Sequence, residues 1–188
     1  MIVYSTANTP GELQGILTLQ RENLARNLDA EEIKEQGFVT VEHGYALLEK
    51  LNSCEKHILA KDGQKVIGYL LAMTKDRKND VPVLLSMFDA FDRVKYDGRK
   101  IADYHYLVVG QVCVARPYRG QGILDACYAA YRKHYHRKYD FAITEIDATN
   151  LRSLQAHKRI GFIEAERYNG PDGTNWVIVL WDWRESKR

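Results

Sequence analysis

Apolar residues recur along this chain at two spacings, and the switches between them divide it into elements. Ile2 to Ser5 reads as a first strand. Thr9-Pro10-Gly11-Glu12 reads as a helix start: Thr9 caps, Pro10 suits the first turn, and Glu12 completes a capping box. Leu13, Ile16, Leu17, Leu24 and Leu28 then form an amphipathic stripe with a break in it. Asp29-Ala30-Glu31-Glu32 repeats the capping signal, and Glu42 to Leu51 predicts a third helix with Tyr45, Leu48 and Leu51 on one face. A hairpin follows: Lys56 to Ala60, a turn at Asp62-Gly63, then Val66 to Met73. Residues 74 to 104 are charged but contain the apolar run Val83 to Phe88, with Phe91 and Val94 at helical spacing. They read as an inserted helix with loops either side.

The second half is more regular. Tyr106 to Val114 predicts a long central strand, followed by a loop and a helix to about Lys138. That helix ends in Arg132, Lys133, Arg137 and Lys138, which suit its negative end. Phe141 to Asp147 alternates as a strand. A short helix from about Leu151 to Arg159 is broken by Gly161, and Phe162 to Tyr168 pairs with Trp176 to Trp183 around Asn169 to Gly173. The order predicts one α+β domain over residues 1–188, with an insertion at about 74–104.

Composition narrows the class only slightly. The chain has 188 residues, 45% hydrophobic and 28% charged, as in a soluble globular protein. A net charge of +2 argues against general nucleic-acid binding. No apolar segment approaches membrane-spanning length, and Met1 leads straight into the β-like run Ile2 to Tyr4 rather than into a leader. Cys54, Cys113 and Cys127 are odd in number and match no zinc spacing, so they read as reduced thiols in a cytoplasmic protein. Cys113 reads as a buried strand cysteine rather than a nucleophile.

The chemistry-bearing stretch runs from Val112 to Leu124. A β-branched strand is ended by Pro117, and Arg119-Gly120-Gln121-Gly122 opens a helix marked by Ile123, Cys127 and Tyr131. Such a loop aims backbone N–H groups at one point beside the positive end of a helix, and Arg116 and Arg119 add charge. A dinucleotide loop needs glycine or alanine where Asp125 stands, and the Gly-Lys-Ser/Thr of a P-loop is missing. A basic turn joining strand to helix is the plainer alternative.

The stretch resembles the coenzyme A loop of the GNAT superfamily of N-acetyltransferases, whose pattern is Gln/Arg-x-x-Gly-x-Gly/Ala after a bulged strand. Arg119 and Gly122 fit; Leu124 stands where glycine or alanine is usual. Asn150 to Phe162 resembles the family's second signature: an Asn opening a helix, Tyr or His seven residues later, then Gly-Phe, here Asn150, His157 and Gly161-Phe162. Seven residues are nearly two turns, so Asn150 and His157 share a face. The plainer alternative is a helix cap and a surface histidine. The resemblance implies an α+β fold with a mixed, mostly antiparallel central sheet flanked by helices on both faces. It implies acetyl-CoA as co-substrate, with no metal. The coenzyme would be held by Val112, Cys113, Val114, Arg119, Gly120, Gln121, Gly122, Ile123, Leu124, Asp125, Asn150 and His157. A bulge would splay the strand and leave main-chain groups of Val112 to Val114 to polarise the thioester.

Amine acetylation requires a neutral amine, although a lysine-like amine has a pKa of about 10.4. In some members of the family a catalytic glutamate stands five residues before this Asn, so the resemblance implies Glu145 as the base; burial by Phe141 and Ile143 would strengthen it, and a solvated or salt-bridged strand glutamate is the plainer alternative. His157 is the candidate acid for the leaving thiolate. The acceptor is a small-molecule or protein amine, with no nucleic acid or membrane partner. Tyr45, Phe88, Phe91, Tyr96, Tyr104, Tyr168 and Trp176, with Asp89, Asp92, Asp97 and Asp172, either line its pocket or form an aromatic core with an acidic rim. The insertion would serve as a lid or as a homodimer contact. Two other readings stand: a coenzyme A-binding regulatory or sensor protein without catalysis, and an interaction module using Val83 to Phe88.

Overall fold

The computed structural model describes residues 1–27 and 38–184, so the capping signal at Asp29 to Glu32 lies outside the described residues. In chain order the main elements are β1 (Ile2–Thr6), α1 (Pro10–Glu22), α2 (Tyr45–Cys54), β2 (Ile58–Asp62), β3 (Lys65–Met73), α3 (Leu85–Arg93), β4 (Lys95–Tyr96), β5 (Arg99–Lys100), β6 (Tyr106–Val114), α4 (Ile123–Tyr135), β7 (Phe141–Asp147), α5 (Leu151–Ile160), β8 (Ile163–Asn169) and β9 (Asn175–Asp182). Seven strands form one mixed sheet in the order β1-β2-β3-β6-β7-β9-β8. The β1–β2, β2–β3, β7–β9 and β8–β9 pairs are antiparallel, and β6 and β7 are parallel. The chain divides into two compact units.

The first unit comprises Met1–Met73 and Val109–His134. Its α1 begins as the capping box predicts. Glu12 N–H donates to Thr9 Oγ1 at 3.2 Å, and the Glu12 carboxylate accepts from the N–H groups of Asn8 and Thr9 at 2.7 and 3.0 Å. The stripe outlasts the helix. After Glu22 the chain turns into a short bridge, with Val39 N–H donating to the Asn23 carbonyl at 3.0 Å, and Leu24 stays buried without being helical. The next helix starts later than its pattern predicts, at Tyr45 rather than Glu42. His43 explains the delay: Gln20 accepts from its N–H at 2.9 Å and donates to its carbonyl at 3.2 Å, holding the segment extended.

The second unit comprises Thr74–Val108 and Tyr135–Arg188. The insertion holds α3 and also a small hairpin that the apolar pattern does not reveal, its turn made by Asp97 and Gly98 at φ 50° and 77°. The run Val83 to Phe88 is not the exposed patch that an interaction module would use. Val83 is exposed, but Leu84, Met87, Phe88 and Phe91 are buried. Phe91 meets Phe88 and Tyr106 edge-on at 5.9 and 5.8 Å, and Tyr106 stacks on Phe141 at 6.0 Å. Each such ring contributes about 1.5–3 kcal/mol by leaving water, so the run is core. The β6–β7 ladder covers only Tyr106 to Val108, opposite Phe141 to Ile143. Beyond it β7 stays paired with β9 as far as Asp147 opposite Trp176.

Candidate active site

In the first unit, β6 runs into a loop held at several points. Arg119 Nε donates to the Val114 carbonyl at 2.9 Å and its Nη2 donates to Asn23 Oδ1. Gln121 Nε2 donates to the Pro117 carbonyl at 2.8 Å, and the Tyr118 hydroxyl donates to Asp62 at 3.0 Å. Gly120 and Gly122 both adopt φ 75°, where a side chain would strain the backbone, and nothing lies within 4 Å of a Cβ built on either. Ala126 N–H donates to the Gly122 carbonyl at 3.0 Å, the first bond of α4. The N–H groups of Ile123 and Leu124 therefore lie in the turn where a helix supplies no acceptor, at its positive end. The result is an exposed loop suited to an anion, with Leu124 and Asp125 half-buried at its rim.

Before the loop, Val112 and Val114 are half-buried and Cys113 is buried. Burial pushes the Cys113 thiol up to about 12, so it stays a thiol and does not serve as a nucleophile.

In the second unit, Asn150 caps α5, its Oδ1 accepting from Ser153 N–H at 3.1 Å. Gly161 ends that helix in a left-handed conformation at φ 116°. His157, the candidate acid, lies on the same helix. It is 2% exposed, its Nδ1–H donates to the Ser153 carbonyl at 2.8 Å, and it meets Phe162 edge-on at 5.0 Å. Burial pulls its pKa down to about 4, so the ring is neutral near pH 7, with the lone pair on Nε2. The charged donor is disfavoured because its site lacks the solvation an imidazolium needs.

Glu145 sits half-buried on β7. Burial, with help from Asp172, raises its pKa to about 7, against the pull of a hydrogen bond from Tyr168. This is the environment a carboxyl base requires. Tyr168 lies on β8, two strands away: Glu145 stands opposite Ile178 of β9, and Tyr168 stands opposite Trp176 of the same strand. A register shift between Glu164 and Glu166 sets the phase of β8. Tyr168 was legible only as one aromatic among several; no local signal ties it to Glu145.

The other expected pocket aromatics divide. Phe88, Phe91 and Tyr104 are core, whereas Tyr45, Tyr96 and Trp176 are half-buried. Tyr96 and Tyr104 flank Arg184, whose guanidinium lies 5.4 and 5.2 Å from the two ring centres and bonds Asp182 and Asp97. Among the described residues, no cluster of three or more His, Cys, Asp or Glu could hold a metal ion, and no helix is long and apolar enough to cross a membrane.

The profile of the acetyltransferase (GNAT) family matches residues 21–162. No curated protein matches the chain at a significant level. Among solved structures, a GNAT-family acetyltransferase from Streptococcus agalactiae superposes with a TM-score of 0.66 at 13% identity, covering 96% of this chain and 95% of that one. The ribosomal-protein-S18-alanine N-acetyltransferase of Escherichia coli gives 0.60 at 14%, covering 97% and 94%. Arabidopsis thaliana NAA60 in complex with acetyl-CoA gives 0.61 at 16%, covering 97% and 99%. These likenesses establish the fold.

Proposed function

Because the chain belongs to the GNAT acetyltransferase family, we propose that it transfers the acetyl group of acetyl-CoA to a primary amine by direct attack in a ternary complex. The observation that carries this reading is the open loop at the start of α4, where two glycines in left-handed conformation leave room for a pyrophosphate. Gly120 to Asp125 take the pyrophosphate. Main-chain groups of Val112 to Val114 align the pantetheine arm and polarise the thioester carbonyl, stabilising the oxyanion as attack proceeds.

Glu145 accepts a proton from the acceptor ammonium, and the neutral amine attacks the carbonyl carbon. The C–N bond forms and the C–S bond breaks; the nitrogen gives up its remaining extra proton to water, and the products are the amide, the coenzyme A thiolate and that proton. A thiol of pKa about 8.5 leaves readily near neutral pH, so the step needs no imidazolium donor. His157 instead holds α5, and with it the Asn150 cap, through its bond to Ser153. A carboxyl with pKa near 7 is half ionised at neutral pH and accepts protons far better than an ordinary glutamate.

Acetyl-CoA binding by calorimetry, followed by a panel of small and peptide amines with thiol detection, tests this. The wild type should release thiol only when an amine is present. Glu145→Gln should bind acetyl-CoA within about twofold of wild type while turnover falls by about 10²-fold or more. Binding without amine-dependent thiol release would make the protein a coenzyme sensor. Unchanged turnover in the variant would remove Glu145 from the reaction.

A further inference from the structure

We propose that Tyr168 is the positioning residue for Glu145, the proton-accepting carboxyl. The proposal rests on the reading of Glu145 as base.

The geometry makes the contact specific. β9 lies between the two strands, so the backbones of β7 and β8 stand about 10 Å apart. Glu145, Ile178, Trp176 and Tyr168 fall on one face of the sheet, because paired residues share a face and positions two apart along a strand do as well. Of these, only a phenol reaching diagonally and a glutamate extending toward it close the gap. The Tyr168 hydroxyl donates to Glu145 Oε2. The donor thus reaches Glu145 from a strand two places away in the sheet.

Chemically, the arrangement divides the carboxylate. Oε2 is held by the phenol, which leaves Oε1 as the oxygen that takes the proton from the acceptor ammonium. Tyr168 does not move a proton itself. Burial and the neighbouring carboxylate push its hydroxyl well above the ordinary phenol range, so it stays a donor. Its bond favours the ionised carboxylate, against burial and the nearby Asp172, which favour the acid. Tyr168 thus keeps Glu145 in the window where it is both ionised and basic at neutral pH.

The test is a carbon-13 titration of the Glu145 side-chain carboxyl in the full chain, with the resonance assigned by its loss in Glu145→Gln. It needs no turnover, so it stands apart from any failure to find an amine substrate. In Tyr168→Phe the midpoint should rise by about one to two pH units, the loss of one hydrogen bond to a charged group. The acid limb of the kcat/KM profile should move up by the same amount, with activity recovering at high pH. An unmoved midpoint in Tyr168→Phe overturns the proposal, as does a uniform fall in rate with the limb in place, which would mark Tyr168 as packing only. If the midpoint moves but no amine is acetylated, the coupling holds and the acetyltransferase reading fails.

Discussion

The interior of this protein stores a conflict that mild acid should release. His43, His57 and His157 are all buried, and burial pulls each imidazole from its ordinary 6.5 down to about 4. His57 shows why. Its Nδ1 accepts from Ala72 N–H at 3.1 Å and its Nε2–H donates to the Leu48 carbonyl at 3.2 Å. A second proton would break the first bond and leave a charge where nothing solvates it. A folded pKa below the unfolded value means that stability is full above pH 6.5 and falls as pH drops toward 4. Between pH 7 and 5.5 each ring costs about 1.2 kcal/mol, so the three together cost ~4 kcal/mol.

Glu145 works in the opposite direction. Its folded pKa of about 7 lies above the ordinary carboxylate value, so ionising it destabilises the fold, and acid relieves that strain. Over the same interval the relief is about 1.6 kcal/mol, which leaves the wild type a net loss of ~2 kcal/mol and a Tm lower by about 4–8 °C. Glu145→Gln removes the relief, so its loss should be nearly twice as large. Glu12 and Asp182, held low by Lys61 and Arg184, titrate below this window and do not blur it. Calorimetric melts of both proteins at pH 7 and 5.5 measure the difference, and proton NMR should show the three rings still neutral at pH 5.5. A Tm that is flat or rising toward pH 5.5 in Glu145→Gln would refute the account.

At the loop, Gly122→Asp should weaken acetyl-CoA binding at least tenfold by calorimetry, through charge repulsion and a left-handed φ of 75°, and Gly122→Ala should lose less. Arg184→Ala should destabilise the second unit by about 1–3 kcal/mol in urea unfolding, because it strips the cation from Tyr96 and Tyr104 and the partner from Asp182. Phe91→Ala should cost about 3–5 kcal/mol, since the ring is fully buried between Phe88 and Tyr106. Cys113 and Cys127, both with thiols pushed up to about 12, should resist alkylation until the protein unfolds, as mass spectrometry of native and denatured samples would show.

Local chemistry was written plainly in the chain. The Thr9 capping box, the Asp62-Gly63 hairpin, strand β7 and the Gly161 stop all rest on neighbours a few residues apart, and each stands where its pattern predicts. The glycine loop is of the same kind, because backbone conformation and helix polarity need no distant partner. What depended on distant partners was not legible. Gln20 delays a helix by holding His43, 23 residues away. The apolar run in the insertion looks the same in sequence whether it faces solvent or Tyr106 and Phe141.

The site divides along the same line. Residue types and their spacing singled out the candidates for the chemistry: Arg119 to Asp125, Asn150, His157 and Glu145. What each candidate could do depended on its surroundings in the fold. The fold buried His157 until its charged form was disfavoured, and it set Glu145 near neutrality. It also brought Tyr168 to that carboxyl through two strand registers and a bulge, any one of which, slipped by a residue, would turn the phenol to the opposite face. Residue type sets a group's ordinary acidity, and burial and partners move it, so reactivity had to wait for the fold.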